Sequence, residues 1–212
     1  MSACNDTCAN LCGNHPPSTD SCQWSLGYIG CKLESSSVYD GSETGVKMPR
    51  THDQSLLDAL LDSWDRNNMI LINLLRALPE GGLEARAMEG SPSVAAMFMH
   101  MHYVRLVFLS EDAPEFAREV PEGEWRNERD PARIAAMLNE SAAAVREAVK
   151  GRLEAGQEMN LHYDHPILFL QHMVWHEGYH HGQIKLALKA AGHPMGDEEV
   201  GRVTWDVWMD KT

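Results

Sequence analysis

The sequence predicts an all-α fold, an antiparallel four-helix bundle preceded by a disordered extension. Four segments of roughly 20–26 residues carry apolar side chains at three- and four-residue steps, the spacing of one helix face. No segment alternates as a strand. With 212 residues, 43% of them hydrophobic, the chain is long enough for one domain with a proper core. Helices of this number and length are typical of an antiparallel four-helix bundle.

The head of the chain differs in composition from the rest. It holds all five cysteines, many Ser, Thr, Asn and Gly residues, and too few apolar residues to define a helix face. Cys4, Cys8 and Cys12 have a spacing that would suit a metal or cluster site, but paired thiolate ligands more often come as C-x2-C, which is absent. We therefore predict that residues 1–47 are a disordered or non-native extension and that residues 48–212 form the domain.

Residues that typically end or start a helix give the bounds of the first two predicted helices. The first is predicted from about Asp53 to Leu78, with Trp64 among the leucines of its apolar face, and Pro79-Glu80-Gly81-Gly82 ends it. The second is predicted to open with Ser91-Pro92, a capping side chain followed by proline in the first turn.

The last two helices have similar signals. The third is predicted to begin at Asp130-Pro131, the same cap-and-proline device. The fourth is predicted to begin near Pro166 and to end at Gly192-His193-Pro194. The segment Trp205-x-x-Trp208 is expected to fold back over the bundle.

Charge and hydropathy exclude several classes of function. The formal charge of −13 opposes binding of a phosphate backbone, so no nucleic-acid partner is expected. No stretch approaches the roughly 20 apolar residues of a membrane span, and no secretory signal is recognisable. We therefore expect a cytoplasmic protein with no membrane partner. The acidic stretch Glu119–Asp130 is expected to be a solvated loop.

Histidines are the most informative residues of the fourth helix. His172, His176 and His180 follow at four-residue steps, and the last two fall on the apolar stripe. Burying two imidazoles costs free energy unless their nitrogens find partners. Two histidines at i and i+4 can present nitrogens to one ion at about 2.0–2.1 Å, whereas His172 and His180 are about 12 Å apart, too far to share an ion easily. The spacing favours a metal site that includes His176, with core histidines bonded to buried polar groups as the alternative.

A third ligand is available on the second helix. His100 and His102 lie at opposite edges of its apolar stripe, each about 95–100° from the centre, so periodicity does not choose between them. Three histidines with open coordination positions are a known catalytic arrangement, in which the ion acidifies a bound water or thiol or polarises a carbonyl. Three imidazoles suit Zn, Ni or Fe, and the spacing alone does not identify the ion.

The string His172–Gln183 resembles the last-helix signature of the DinB-like family of bacterial metal-binding four-helix bundles. Phe98–Arg105 and the terminal Trp205 and Trp208 also match that pattern, and the resemblance spans Met48 to the C-terminus. One departure is His181, where the family usually has Arg. Carried over by position, the resemblance implies a metal triad of His100, His176 and His180. It also implies His102 as a neighbour, His172 as a companion, and Gln183 either behind the ligands or capping the site.

The same resemblance implies an activity class. Members are divalent-metal proteins, often homodimers, named for induction by DNA damage, and relatives are thiol-dependent S-transferases or isomerases. A bound ion lowers the pKa of a coordinated thiol. Because the domain has no cysteine, the thiol would be a low-molecular-weight cofactor acting on a small-molecule substrate. The candidates for further catalytic residues are Gln183, Tyr103 and Glu177.

Three alternatives accompany this interpretation. The first is a non-catalytic, metal-stabilised bundle that binds a small molecule or partner. The second is a zinc peptidase, because His176–His180 is literally H-E-x-x-H, with Glu177 as general base and Glu198 or Glu199 as third ligand. The third, a di-iron site, is set aside because the second Glu-x-x-His motif that it needs is missing from the sequence.

Overall fold

The computed structural model describes the backbone of residues 51–209 and the side chains of residues 55–209. The predicted extension over residues 1–47 lies outside the described residues. Within them all regular structure is helical, with no strand, and none of these helices is both long and apolar enough to cross a membrane. The helices are α1 (Thr51–Arg76), α2 (Val94–Asp112), α3 (Pro131–Ala155), α4 (Pro166–Ala190), α5 (Asp197–Gly201) and α6 (Trp205–Met209), with 3-10 turns at Gly82–Glu84 and Pro114–Phe116.

The predicted start of α2 is wrong by two residues. Ser93, not Ser91, is the N-cap, and its hydroxyl accepts a hydrogen bond from the Ala96 N–H. The Ser91 hydroxyl is engaged in the preceding turn, where it donates to the Met88 carbonyl over 2.8 Å. A capping residue satisfies otherwise unpaired N–H groups only from the position directly before the helix, so Ser93 takes that role.

The predicted starts of α3 and α4 are confirmed. Asp130 accepts a hydrogen bond from the Ala132 N–H, and Pro131 is the first residue of α3. His165 caps α4 in the same way, with Pro166 as its first residue. Both prolines fit because the first N–H of a helix has no partner within the helix.

The buried core of the four long helices consists of two apolar clusters and a set of buried polar side chains between them, the polar layer, formed by Asn67, Asn68, Arg105, Ser141 and Glu177. α3 contacts α1, α2 and α4, and α4 also contacts α1 and α2. One cluster, the leucine cluster, includes Leu74, Phe98 and Leu188, and the other, the tryptophan cluster, includes Trp64 and Phe169. Along α1 and α4 the residues of the tryptophan cluster come before those of the leucine cluster, whereas along α2 and α3 this order is reversed.

The C-terminal segment packs against α1, as predicted, but not through its tryptophans. Val207 of α6 is buried, its carbonyl accepts a hydrogen bond from the Arg66 guanidinium, and Asn73 Nδ2 donates to the Val203 carbonyl over 3.0 Å. Trp205 and Trp208 are exposed. The buried aliphatic side chains of this segment, rather than its aromatic ones, hold it in place.

Candidate metal centre

Three histidines converge between α2 and α4. The Nε2 atom of His176 lies 3.1 Å from Nε2 of His100 and 3.1 Å from Nε2 of His180. His100 and His180 are 7% and 6% exposed, and His176 is partly exposed. Periodicity left His100 and His102 as alternatives, and the structure brings His100 into the cluster.

Hydrogen bonds alone do not satisfy this arrangement. Each ring nitrogen has one in-plane position, occupied either by a hydrogen or by a lone pair, so Nε2 of His176 pairs properly with only one of its two neighbours. Two nitrogens that bind one ion at about 2.1 Å are separated by about 3.0–3.4 Å for angles between a right angle and the tetrahedral angle. The observed separations of 3.1 Å fall in that range. The three side chains therefore fit a single transition-metal ion.

The protonation state of the cluster suits the same role. Burial lowers the pKa of His100 to about 2, of His176 to about 3 and of His180 to about 4. Repulsion from neighbouring histidines lowers the pKa of His100 and His176 further. At neutral pH all three imidazoles are uncharged, which is the form that binds a metal.

The predicted companions of the triad lie elsewhere. His102 is buried, hydrogen-bonds to the Met137 backbone and has a pKa lowered by burial to about 4. His172 is exposed, and its Nδ1 lies 2.6 Å from the Tyr163 hydroxyl. Among the described residues, the group of three or more His, Cys, Asp or Glu side chains close enough to share one ion consists of His100, His176 and His180.

The other residues singled out in the sequence are Gln183, Tyr103 and His181. Gln183 lies beside His180 and partly opposes the fall in the pKa of that histidine. Tyr103 is partly exposed. His181, the one departure noted in the sequence, is partly buried, and burial lowers its pKa.

Glu177 faces the interior rather than the histidines. It is 0% exposed, and its two carboxylate oxygens accept hydrogen bonds from Arg105 Nε over 2.6 Å and Nη2 over 2.9 Å. Asn67 Nδ2 donates to the same carboxylate over 2.5 Å. A general base needs a free acceptor position toward water or substrate. The geometry therefore does not support the peptidase interpretation, and the proposed third ligands Glu198 and Glu199 are exposed and outside the cluster.

Arg105 is the centre of the polar layer. Its Nη1 donates to Asn68 Oδ1 over 3.0 Å, to the Leu138 carbonyl over 2.7 Å and to Ser141 Oγ over 3.3 Å, and its guanidinium lies 4.8 Å from the centre of the Trp64 ring. Side chains or backbone of all four long helices thus meet at one cation. The sequence carried a signal for Arg105 alone, because this charged residue stands among the apolar positions of the second helix.

The loop before α3 reaches the site, which corrects the expectation of a merely solvated segment. Trp125 stacks on His100, with ring centres 4.0 Å apart and planes within 4°. Glu124 Oε1 lies 2.9 Å from Nδ1 of His100. The loop is anchored where Ser93 Oγ donates to Asn127 Oδ1 over 2.9 Å. The one signal in the sequence was a tryptophan within an otherwise acidic and polar stretch.

Comparison with known families agrees with this region of the chain. The sequence model of the DinB family matches residues 48–205, which include all four long helices and the three clustered histidines. The comparisons with curated proteins and with solved structures find no match.

Proposed function

This chain belongs to the DinB family, and on that basis we propose that it is a divalent-metal protein whose three-histidine site serves a thiol-dependent, transferase-like reaction. The observation that carries the proposal is the convergence of His100, His176 and His180 with Nε2 separations of 3.1 Å. Two helices supply these nitrogens from a largely buried position.

The three histidines would hold the ion through Nε2, and three protein ligands leave positions for an exogenous ligand. When bound, a Zn, Ni or Fe ion lowers the pKa of a coordinated thiol and so supplies a nucleophilic thiolate at neutral pH. Residues 48–212 contain no cysteine, so the thiol would be a low-molecular-weight cofactor. Within the chain, Gln183 lies beside His180, and Trp125 forms an apolar wall beside His100.

The alternative is a non-catalytic bundle that the ion only stabilises. A closed structural site needs four protein ligands. In the described residues the group that could share one ion has three members. This count favours an open site and hence an exchangeable ligand.

Metal analysis of the full chain tests the proposal. Plasma mass spectrometry should find about one ion per chain, lost in His100→Ala and His176→Ala and retained in the control variants His102→Ala and His172→Ala. The chain loaded with Co²⁺ should then develop a thiolate-to-metal charge-transfer band when a low-molecular-weight thiol is added. Absence of metal after metal-supplemented expression refutes the metal site, whereas metal without the band supports the non-catalytic alternative.

We also propose that the helices form a four-helix bundle in which α2 and α3 run antiparallel to α1 and α4. The opposite order in which these two pairs cross the two apolar clusters supports this arrangement. The connection of α2 to α3 must then return along the length of the bundle. Such a long crossover agrees with the extended loop that carries Glu124 and Trp125.

We propose a homodimer that forms through the exposed face of α4. Leu168, Trp175, Tyr179 and Leu186 are each more than half exposed, and they share one face of the helix. Their spacing is symmetric about the helix centre, so antiparallel contact of two copies would pair Leu168 with the partner's Leu186 and Trp175 with the partner's Tyr179. A two-fold interface requires this self-complementarity.

Sedimentation velocity of the full chain tests the dimer. Trp175→Asp should convert it to a monomer, and Leu56→Asp, a charge placed on an exposed leucine of α1, should leave the dimer intact. A wild-type chain that is monomeric at tens of micromolar would refute the interface.

A further inference from the structure

His100 differs from the other two clustered histidines in where it comes from. His176 and His180 are one turn apart on α4, so a single helix fixes their spacing. His100 reaches the cluster from α2, and the orientation of its ring depends on what surrounds it there. Two neighbours from the loop before α3 contact the ring, Trp125 on its face and Glu124 at its edge.

The two nitrogens of His100 have different surroundings. Nε2 faces the cluster, 3.1 Å from Nε2 of His176. For its lone pair to point toward an ion, the neutral ring must carry its hydrogen on Nδ1. Nδ1 is buried and makes no hydrogen bond of regular geometry within the described residues, yet Glu124 Oε1 is only 2.9 Å away. A buried N–H without an acceptor is costly, so alignment of this carboxylate with Nδ1 is favourable.

We propose that Glu124 is the positioning residue of the metal centre. It accepts the Nδ1 hydrogen of His100, selects the tautomer whose Nε2 lone pair faces the ion, and raises the basicity of the ring. Trp125 restricts rotation of the same ring by stacking on it at 4.0 Å. Carboxylate, imidazole and ion in series are a recurrent arrangement in which the outer carboxylate sets ligand orientation and metal affinity. The proposal rests on the metal site proposed above.

The position of Glu124 suits this role. Its side chain is 30% exposed, so it is partly desolvated beside the ring while solvent still reaches the carboxylate. Glu122 lies in the same loop two residues earlier and is exposed. A substitution of Glu122 therefore removes the same charge from the same loop without removing the carboxylate beside His100.

Zn²⁺ affinity of the full chain, measured by competition with a chelator, tests the proposal. Glu124→Ala should weaken Zn²⁺ binding by about 10–100-fold, the usual effect of removing an outer-shell partner. Glu124→Gln should lose less, because its amide oxygen still accepts the Nδ1 hydrogen. Glu122→Ala should bind within about twofold of wild type. Metal-free thermal midpoints establish that each variant is folded.

A second readout reports the tautomer directly. Nitrogen-15 NMR of the imidazoles in the metal-free chain should show His100 with its hydrogen on Nδ1, and Glu124→Ala should produce a mixture of tautomers. Equal losses of affinity in Glu124→Ala and Glu124→Gln would assign the effect to charge alone and overturn the positioning role. Wild-type affinity in both variants would also overturn it while leaving the metal site intact. A wild-type chain that does not bind Zn²⁺ would instead refute the proposed function.

Discussion

Glu177→Gln removes the charge that balances Arg105 in the polar layer. The carboxylate accepts two hydrogen bonds from Arg105 and one from Asn67, and both members of the ion pair are 0% exposed. Glutamine keeps the shape but offers one acceptor oxygen and turns an NH₂ group toward a guanidinium or an amide. Arg105 retains its bonds to α1 and α3, but its charge is left without a counter-ion.

Breaking a buried ion pair by removing one partner costs about 3–5 kcal/mol. In a domain of this size, 1 kcal/mol shifts the thermal midpoint by about 2–4 °C, so the expected loss is about 6–20 °C. Thermal and urea unfolding of the metal-free full chain, followed by circular dichroism, measures it. Glu140→Gln, an exposed carboxylate on α3, should change the midpoint by less than about 2 °C.

The thermal midpoint and the activity of Glu177→Gln distinguish a structural from a catalytic role of this carboxylate. A midpoint for Glu177→Gln within about 2 °C of wild type would refute the structural role of the pair. Loss of a hydrolytic activity in that stable variant would instead revive a general base within H-E-x-x-H. The double variant Arg105→Met/Glu177→Met should be less destabilised than Glu177→Gln, because it leaves no unpaired charge in the core.

Three other predictions follow from the site and its surroundings. The three clustered histidines have their ordinary pKa of 6.5 in the unfolded chain and pKa values of about 2 to about 4 in the folded chain. Below pH 6.5 the unfolded chain therefore binds more protons than the folded chain, which lowers the free energy of unfolding. The urea midpoint of the metal-free chain should therefore fall between pH 6.5 and about 4, and replacing the exposed His193 by Ala should not flatten this curve. Ni²⁺ should quench tryptophan fluorescence, and Trp125→Phe should remove most of that quenching whereas Trp175→Phe should not. Ser93→Ala should cost about 1 kcal/mol in urea unfolding, and Ser91→Ala less, because Ser93 is the cap of α2.

The helices were predictable because their signals are local. Asp130-Pro131 and Pro166 mark helix starts through backbone groups within a few residues of one another. The start of α2 was missed because Ser91 and Ser93 are both good caps, and a turn at Met88 takes one of them. The local sequence therefore predicts that a helix starts in this region, but which of two neighbouring serines caps it depends on the other hydrogen bonds that each one makes.

The site was predictable only in part because its contacts join distant elements. Spacing on one helix identified His176 and His180, but the choice between His100 and His102 depends on how α2 is rotated against α4. The approach of Glu124 and Trp125 depends on the path of a long loop, which periodicity does not describe. The burial of Glu177 was not predictable from the sequence, because its partner Arg105 lies on another helix and the sequence around Glu177 does not indicate a neighbouring cation.

The polar layer has a consequence for the order of folding and metal uptake. A slip of α4 by one turn, about 5.4 Å, would carry Glu177 into an apolar cluster and leave Arg105 unpaired. The ion pair therefore selects, without any metal, the alignment of α2 and α4 in which His100 and His176 meet. In zinc fingers, by contrast, the ion itself drives folding. We expect this chain to fold first and then to bind the proposed ion, so that metal supply changes the occupancy of the site rather than the shape of the protein.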